Sequence, residues 1–267
     1  MTIRYYDEKR KVLVYCRQCS SPQMWDQHWQ GVSGAADITR ANRLVNTMTA
    51  RYLPTGAKVL EGGCGTGRNV YSLQQAGFAA YGLDYAAQTV ARAAALFPEL
   101  QIVLGDVRRL PFADKSFDGY WSIGVIEHFF DGYDEVAAEM ERVIKPGGLL
   151  FLSFPQMFSL RQLKARRGSY PAFPPQFCPD QDNFYQFALE PGQVADAFAS
   201  LGFSLVEVKT TAGLKGLKDE IGGNWGGLLQ KMYDSTLLPV RIANKLLDLL
   251  LSPRFGHSAL FVFRKKC

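Results

Sequence analysis

The sequence predicts an α/β fold in which a mostly parallel sheet carries helices on both faces. Two observations predict it. Short apolar segments alternate with helical segments between residues 57 and 155, which is typical of βαβ units whose crossover helices cover the sheet. The chain has 267 residues, of which 47% are hydrophobic and 21% charged, so it can bury the core of one globular domain.

The predicted elements follow one another in a regular order. In the first part of the chain, the expected strands lie at 57–62, 79–84, 101–106, 117–124 and 149–155. The expected helices between them lie at 68–77, 86–97 and 134–144. Gly77 and Pro98 end the first two helices, because glycine adopts the left-handed conformation that closes a helix and proline cannot continue one. The pattern resumes with a helix at 191–202, a strand at 203–210, a mostly helical segment at 211–257 and a last strand at 258–266.

The stretch "VLEGGCGTGRN" at residues 59–69 places four glycines behind a predicted strand, where an open parallel sheet binds its ligand. The spacing excludes two common nucleotide motifs. Counted from Gly63, the last glycine of G-x-G-x-x-G is replaced by Arg68, and the phosphate-loop lysine is missing after Gly67. Glu61 would also repel a pyrophosphate bound at the helix amides. The motif therefore predicts a ligand that lacks phosphates and carries a cationic group.

Two further acids end the next predicted strands. Asp84 lies 23 residues after Glu61, at a position where a carboxylate can accept hydrogen bonds from both hydroxyls of a ribose. Asp106 ends the third strand, where a carboxylate can accept a hydrogen bond from an exocyclic amine. Ribose, adenine and a cationic amino acid make up S-adenosylmethionine. We expect this molecule as the cofactor, with S-adenosylhomocysteine as its product.

The sequence resembles the class I S-adenosylmethionine-dependent methyltransferases, in particular the small-molecule branch that includes the quinone-biosynthesis methyltransferases. The resemblance covers residues 57–155 and includes E/D-x-G-x-G-x-G at 61–67, the acid Asp84, "GDV" at 105–107, "LPFADKSFDGYWSIGVIEHF" at 110–129 and "KPGGLLFLSFP" at 145–155. It implies a Rossmann-like, seven-stranded, mostly parallel sheet with a helical N-terminal cap and C-terminal insertions. The cofactor-binding residues that it implies are Glu61, Gly63, Cys64, Gly65, Gly67, Asp84, Tyr85, Asp106, Val107 and Ile123.

The chain is expected to form one domain, residues 1–267, with several parts. Residues 51–155 are the expected cofactor-binding core, and residues 1–50 are interpreted as a helical N-terminal cap. Residues 156–190 are rich in proline and aromatic side chains, which favours a lid with little regular structure that is mobile when the acceptor site is empty. The C-terminal part, 191–267, carries the helical insertion at 211–257.

His128 is the candidate general base. Of the three histidines, it directly follows the predicted fourth strand and lies nearest the expected methyl group. A neutral imidazole there could deprotonate an acceptor hydroxyl, with the ordinary pKa of about 6.5. The alternative for Glu127 and His128 is a structural role, in which both are packed and hydrogen-bonded.

Metal binding is not expected. Some relatives hold a divalent metal through E-x-x-E-H, but this chain has Gly124 in place of the first glutamate. Cys16 and Cys19 form a C-x-x-C pair, whereas a tetrahedral zinc site needs two more ligands. Trp25 and Trp29 lie four residues apart on one predicted helical face and are interpreted as core rather than as a wall of the cofactor site.

The regions outside the core favour a small acceptor. Their aromatic and leucine content suits an apolar or aromatic molecule, methylated on oxygen, carbon or nitrogen. The alternatives are a methyltransferase that acts on RNA or protein, and a non-catalytic S-adenosylmethionine-binding protein. The net charge of +5 is spread along the chain, which makes nucleic acid an unlikely partner.

A cytoplasmic location is expected. The five scattered cysteines do not form a disulfide framework, and the first residues lack the apolar segment of a secretory signal. The leucine-rich stretch 237–251 contains Arg241, Lys245 and Asp248 and is therefore not a transmembrane helix. It is expected to pack on the domain, with peripheral contact to a membrane surface as the alternative. The sequence does not define an oligomeric state.

Overall fold

The computed structural model describes residues 3–31 and 34–267. Its strands are β1 (Ile3–Asp7), β2 (Val12–Cys16), β3 (Lys58–Gly62), β4 (Ala79–Asp84), β5 (Gln101–Leu104), β6 (Phe117–Ile123), β7 (Ile144–Pro155), β8 (Phe184–Ala188), β9 (Phe203–Thr211) and β10 (Ser258–Lys265). Its α-helices are α1 (Pro22–Gln30), α2 (Ala35–Ile38), α3 (Arg43–Tyr52), α4 (Arg68–Gln75), α5 (Ala87–Leu96), α6 (Asp134–Val143), α7 (Ser159–Arg166), α8 (Pro191–Ser200), α9 (Gly213–Glu220), α10 (Gly223–Tyr233) and α11 (Leu238–Phe255). A short 3-10 turn, Ile126–His128, follows β6.

Seven strands form the main sheet, in the order β5-β4-β3-β6-β7-β10-β9. Neighbouring strands from β5 to β7 run parallel, and β10 pairs antiparallel with both β7 and β9. The predicted seven-stranded, mostly parallel sheet is therefore confirmed. The chain winds in opposite directions from β3 and from β6, so the carboxyl ends of these two strands flank the crevice where such sheets bind ligands.

Both faces of the sheet are covered by helices. In β7, Leu149 and Phe151 pack in one hydrophobic cluster with residues of α3 and α4. The alternate residues Leu150 and Leu152 pack in the opposite cluster with residues of α6 and α8. Successive residues of a strand point to opposite faces of its sheet. All four side chains are buried because helices cover both faces.

The N-terminal segment differs from the predicted helical cap. β1 and β2 form an antiparallel hairpin, and β2 also pairs with β8 in a separate three-stranded sheet. The β2 sequence "VLVYC" is buried at every position, and its β-branched and aromatic side chains fit a strand. The helical interpretation is wrong for β1 and β2, because β2 is buried against β8 from a distant part of the chain and β1 pairs with β2.

Residues 156–190 contain more regular structure than predicted. They include α7 and β8, and the side chains of Phe184 and Phe187 in β8 are buried in the core. The expectation of little regular structure is wrong for these two elements, because pairing with β2 satisfies the backbone of β8. The mobility of this segment stays a prediction.

Residues 211–257 contain α9, α10 and α11, and α11 leaves a leucine-rich face uncovered. Leu238, Leu249 and Leu250 are 67%, 73% and 74% exposed. Within residues 3–31 and 34–267, none of the helices has the length and hydropathy that crossing a bilayer requires.

α1 is fixed to the domain by Asp26, which is 7% exposed. Its Oδ1 accepts hydrogen bonds from the backbone N–H of Thr89 at 2.8 Å and from the Thr89 hydroxyl at 2.9 Å. Thr89 lies in the first turn of α5, whose N-cap residue Ala86 has no side chain that can accept a hydrogen bond. Asp26 therefore caps α5 from another helix and joins the N-terminal segment to the main sheet.

We expect Asp26→Ala to lower the free energy of unfolding by about 1 to 3 kcal/mol, because it leaves two buried donors of Thr89 without a partner. Asp26→Asn keeps an acceptor oxygen and should cost less. Urea denaturation of both variants measures these losses of stability. Glu99→Ala, a substitution at an exposed residue, is the control. Equal stability of Asp26→Ala and Glu99→Ala would contradict the capping role.

Candidate functional site

A cavity of about 710 Å³ lies at the carboxyl ends of β3, β4 and β6, a volume typical of small-molecule sites. Six of the predicted cofactor residues line it, namely Gly63, Asp84, Tyr85, Asp106, Val107 and Ile123. The other four, which do not belong to its lining, are Glu61, Cys64, Gly65 and Gly67. The sequence motifs thus converge on one place, with part of the glycine turn covered by other residues.

The glycine turn after β3 depends on backbone conformation and close packing. Gly63 and Gly65 have φ values of +76° and +51°, a region that residues with a side chain rarely adopt. A Cβ on Gly63 would lie 2.6 Å from the Val125 side chain, and one on Gly65 would lie 2.8 Å from the Trp29 ring. Glycine is required at both positions, because the chain reverses there and other side chains approach the backbone.

Asp84 holds this turn in place from the end of β4. Its Oδ2 accepts a hydrogen bond from the Gly65 N–H at 2.7 Å, and its Oδ1 accepts one from the Ala86 N–H at 2.9 Å. Burial raises the pKa of Asp84, against the opposing effect of these two hydrogen bonds. Each carboxylate oxygen can accept a further hydrogen bond, and the residue lines the cavity. Asp84 can therefore bind ligand hydroxyls while it braces the turn.

Two buried glutamates lie near the turn without a compensating cation. Glu61 is 2% exposed, and its Oε1 accepts a hydrogen bond from Asn69 at 2.6 Å. Glu127, also 2% exposed, lines the cavity. The Oε2 atoms of both residues have no hydrogen-bond partner in the described part of the chain. Burial raises the pKa of each carboxyl to about 8. A cationic ligand would stabilise their ionised forms.

Asp106 is held by Arg108 in the cavity wall. The Arg108 side chain donates to the Asp106 carboxylate through Nε at 3.1 Å and Nη2 at 2.6 Å, and its backbone N–H donates at 2.9 Å. The hydrogen bonds from the Arg108 side chain lower the pKa of Asp106. Asp106 is therefore ionised, and Arg108 occupies part of its acceptor capacity.

α1 supplies an aromatic wall that the sequence interpretation missed. Trp25 and Trp29 stack with ring centroids 6.2 Å apart, and both line the cavity. Their interpretation as core is wrong. The helical spacing correctly places them on one face, but the contact between Asp26 and Thr89 decides which surface that face covers.

Residues 60–152, from β3 into β7, match the family model of a methyltransferase domain. The chain contains a class I S-adenosylmethionine-dependent methyltransferase domain. Its cavity fits the cofactor of this family. The buried Oε2 atoms of Glu61 and Glu127 lack partners, so a positively charged ligand can pair with them, and the glycine turn is closely packed, with no room for a Cβ.

Curated relatives match the methyltransferase domain. A probable S-adenosylmethionine-dependent methyltransferase of Mycolicibacterium smegmatis is 37% identical over 100 residues, which are 38% of this chain and 38% of that protein. A demethylmenaquinone methyltransferase of Bacillus licheniformis is 34% identical over 126 residues, which are 44% of this chain and 54% of that protein. The matches therefore span about half or less of the length of these relatives.

The structure of the [4+2]-cyclase SpnF shares the fold of the methyltransferase domain. It superposes with a TM-score of 0.58 at 17% sequence identity and covers 94% of this chain and 98% of that one. This similarity concerns the fold alone.

His128 lies in the cavity wall of the methyltransferase domain, at the end of the 3-10 turn. Its Nδ1 is 2.7 Å from the carbonyl oxygen of Tyr185. Because a carbonyl can only accept, Nδ1 carries the proton and Nε2 of the neutral ring has a free lone pair. Burial lowers the pKa of His128 to about 4, well below the ordinary value expected from the sequence. The imidazole is therefore neutral at pH 7.

Within residues 3–31 and 34–267, no three or more His, Cys, Asp or Glu side chains are grouped so that they could hold a metal ion. Cys16 is buried in β2, and the thiol of Cys19 donates to the backbone oxygen of Asp180 at 3.0 Å. The C-x-x-C pair thus has a structural environment in which burial raises the pKa of both thiols.

Proposed function

We propose that this chain transfers a methyl group from S-adenosylmethionine to a small acceptor. The observation that carries the proposal is a single cavity in which Asp84, the glycine turn and the buried carboxyl of Glu127 meet. These groups suit a ligand that combines hydroxyls with a positive charge.

Each group has a proposed role in binding. Asp84 accepts from the ribose hydroxyls, and Asp106 accepts from the adenine amine. Glu61 and Glu127 favour the positively charged part of the cofactor through their buried carboxylates. When bound, S-adenosylmethionine supplies a methyl group on a sulfonium sulfur, which keeps the bonding electron pair and becomes a thioether. Nε2 of His128 takes the proton of the acceptor hydroxyl, so the acceptor attacks as an anion.

The proposed acceptor is small and partly apolar or aromatic. The cavity wall carries Trp25, Trp29, Phe129 and Tyr185, which offer flat apolar surfaces. The demethylmenaquinone methyltransferase among the relatives supports an acceptor of this kind. We favour it over RNA or protein, because the aromatic groups line an inner cavity rather than an extended surface.

Calorimetry with S-adenosylmethionine and S-adenosylhomocysteine tests cofactor binding, and a metabolite screen with a labelled methyl group tests transfer. We expect both ligands to bind and the label to enter a small molecule. Binding without transfer to any small molecule, RNA or protein would favour the non-catalytic alternative. Absence of binding would refute the proposal.

We expect the affinity for S-adenosylmethionine to rise with pH between 6 and 8. Burial raises the pKa of Glu61 and Glu127 to about 8, so both are mostly protonated below this pH. A bound cation favours their ionised forms, and binding therefore releases protons. Calorimetry in buffers of different ionisation enthalpy counts these protons.

Glu61→Gln is the matched variant for this pH dependence. It keeps the size of the side chain but cannot ionise, so binding should release fewer protons than in the parent protein. The same ligand is used with both proteins, so the difference in proton release reports the coupling between Glu61 and the ligand. Identical proton release by both proteins would show that Glu61 is not coupled to the ligand.

A further inference from the structure

A second cavity of about 330 Å³ lies beside the cofactor cavity. Its wall includes the cationic residues Arg4, Arg17 and Lys215, together with His257. We call it the cationic cavity. It is built by β1, the end of β2, α9 and the residues before β10, so residues far apart in the sequence form it.

The cationic cavity has more positive than negative groups. Glu220 is fully buried and receives ion pairs from Arg4 at 2.6 Å, Arg161 at 3.0 Å and Lys164 at 3.0 Å. One carboxylate therefore faces three cations, which leaves an excess of positive charge behind the cavity wall.

Asp219 is a second carboxylate that faces more than one cation. Asp219 pairs with Lys215 at 2.6 Å and with Lys218 at 2.8 Å. Burial, together with the cations of Arg161 and Lys215, lowers the pKa of His257, which is therefore neutral and does not add to the charge. The side chain of Arg17 makes no ion pair or hydrogen bond with any residue that the structure describes. An anion is the group that this arrangement lacks.

Free polar groups also face the cationic cavity. The hydroxyl of Tyr15, a residue that is 8% exposed, lies beside the Arg4 guanidinium, and its proton has no acceptor among the described residues. The side-chain amide of Gln186 likewise has no hydrogen-bond partner in the described segments. These groups can donate to a ligand oxygen.

The two cavities share part of their walls. Tyr185 and Gln186, consecutive residues of β8, line both of them. The carbonyl of Tyr185 also receives the hydrogen bond from His128. A molecule held in the cationic cavity therefore lies next to the residues that position the candidate base.

We propose that the cationic cavity binds the anionic end of the methyl acceptor, a carboxylate or phosphate on a small organic molecule. Its reactive hydroxyl then extends past Tyr185 toward His128. This inference rests on the proposed methyl transfer and specifies the acceptor class. The volume of about 330 Å³ admits a small acid and not a nucleic acid or protein segment.

Benzoate and phenyl phosphate are suitable probes, with neutral benzamide as the reference. Their binding to the whole protein is measured by calorimetry at low salt. We expect both anions to bind more tightly than benzamide, and the tighter of the two identifies the preferred acidic group. Binding of benzamide as tight as that of both anions would overturn the proposal.

Arg17→Gln and Lys215→Gln locate the bound anion. Each should weaken anion binding at least about tenfold, since a charge-assisted hydrogen bond is lost. Arg17 is exposed and unpaired, so its variant should fold normally, and Arg43→Gln removes an exposed arginine that lines neither cavity as the control. Unchanged anion affinity in Arg17→Gln and Lys215→Gln would refute the site. S-adenosylhomocysteine binding, measured in the same variants, shows independently whether the cofactor site is correct.

Discussion

Replacement of His128 by alanine is expected to lower the rate of methyl transfer by about 10²- to 10⁴-fold, the usual contribution of a general base. Nε2 of the neutral ring is free to take a proton, because Nδ1 donates to the Tyr185 carbonyl. The affinity for S-adenosylmethionine should not change, since the cofactor contacts are proposed for other residues. Initial rates and calorimetry on the same preparation measure the two effects separately.

The pH dependence distinguishes a base from a structural residue. Because burial lowers the pKa of His128 to about 4, the rate at saturating S-adenosylmethionine should fall as the pH drops toward 4 and not near 6.5. His128→Gln can still donate to the Tyr185 carbonyl but cannot accept the proton, so it should fold normally and remain slow. The control is His28→Gln, at the other histidine of the cavity wall. Full activity of His128→Gln would assign His128 a purely structural role.

Replacement of Asp84 by alanine is expected to raise the Kd for S-adenosylmethionine at least about tenfold, which corresponds to the loss of one charge-assisted hydrogen bond. The loss should exceed this minimum for two reasons. Two ribose hydroxyls are proposed to donate to Asp84, and its carboxylate also holds the N–H of Gly65 at 2.7 Å. Calorimetry with cofactor and product measures the change.

Asp84→Asn tests the same position without removing the side chain. The amide has only one acceptor oxygen, so it cannot accept from both Gly65 and Ala86 as the carboxylate does. Its affinity should fall between those of the parent protein and Asp84→Ala. Asp196→Ala, at an exposed position of α8, serves as the control. Parent-like affinity in Asp84→Ala would remove the main support for the cofactor assignment.

The core of the fold could be predicted from the sequence because its signals are local. The glycine turn, Asp84 and Asp106 each follow a short apolar strand, and the carboxyl ends of parallel strands meet at one edge. The structure accordingly brings Gly63, Asp84 and Asp106 to one cavity.

The remaining walls of the site depend on contacts between distant segments. The sequence of β2 can be recognised as a buried strand only when its pairing with β8 is known. Trp25 and Trp29 reach the cavity because α1 is attached to α5 through Asp26, a contact that helical periodicity does not encode. Arg108, two residues from Asp106, is the exception, since its proximity in sequence could have suggested the ion pair.

The attachment of α1 has a kinetic consequence for the enzyme that we propose. One wall of the cofactor cavity is a helix, and the hydrogen bonds that hold it, between Asp26 and Thr89, lie outside the cavity lining. Displacement of this wall during product departure would require those bonds to break. The dwell time of S-adenosylhomocysteine would then be set partly by Asp26, a residue that does not line the cavity. Weakening its hydrogen bonds to Thr89 would speed turnover wherever product release limits the cycle.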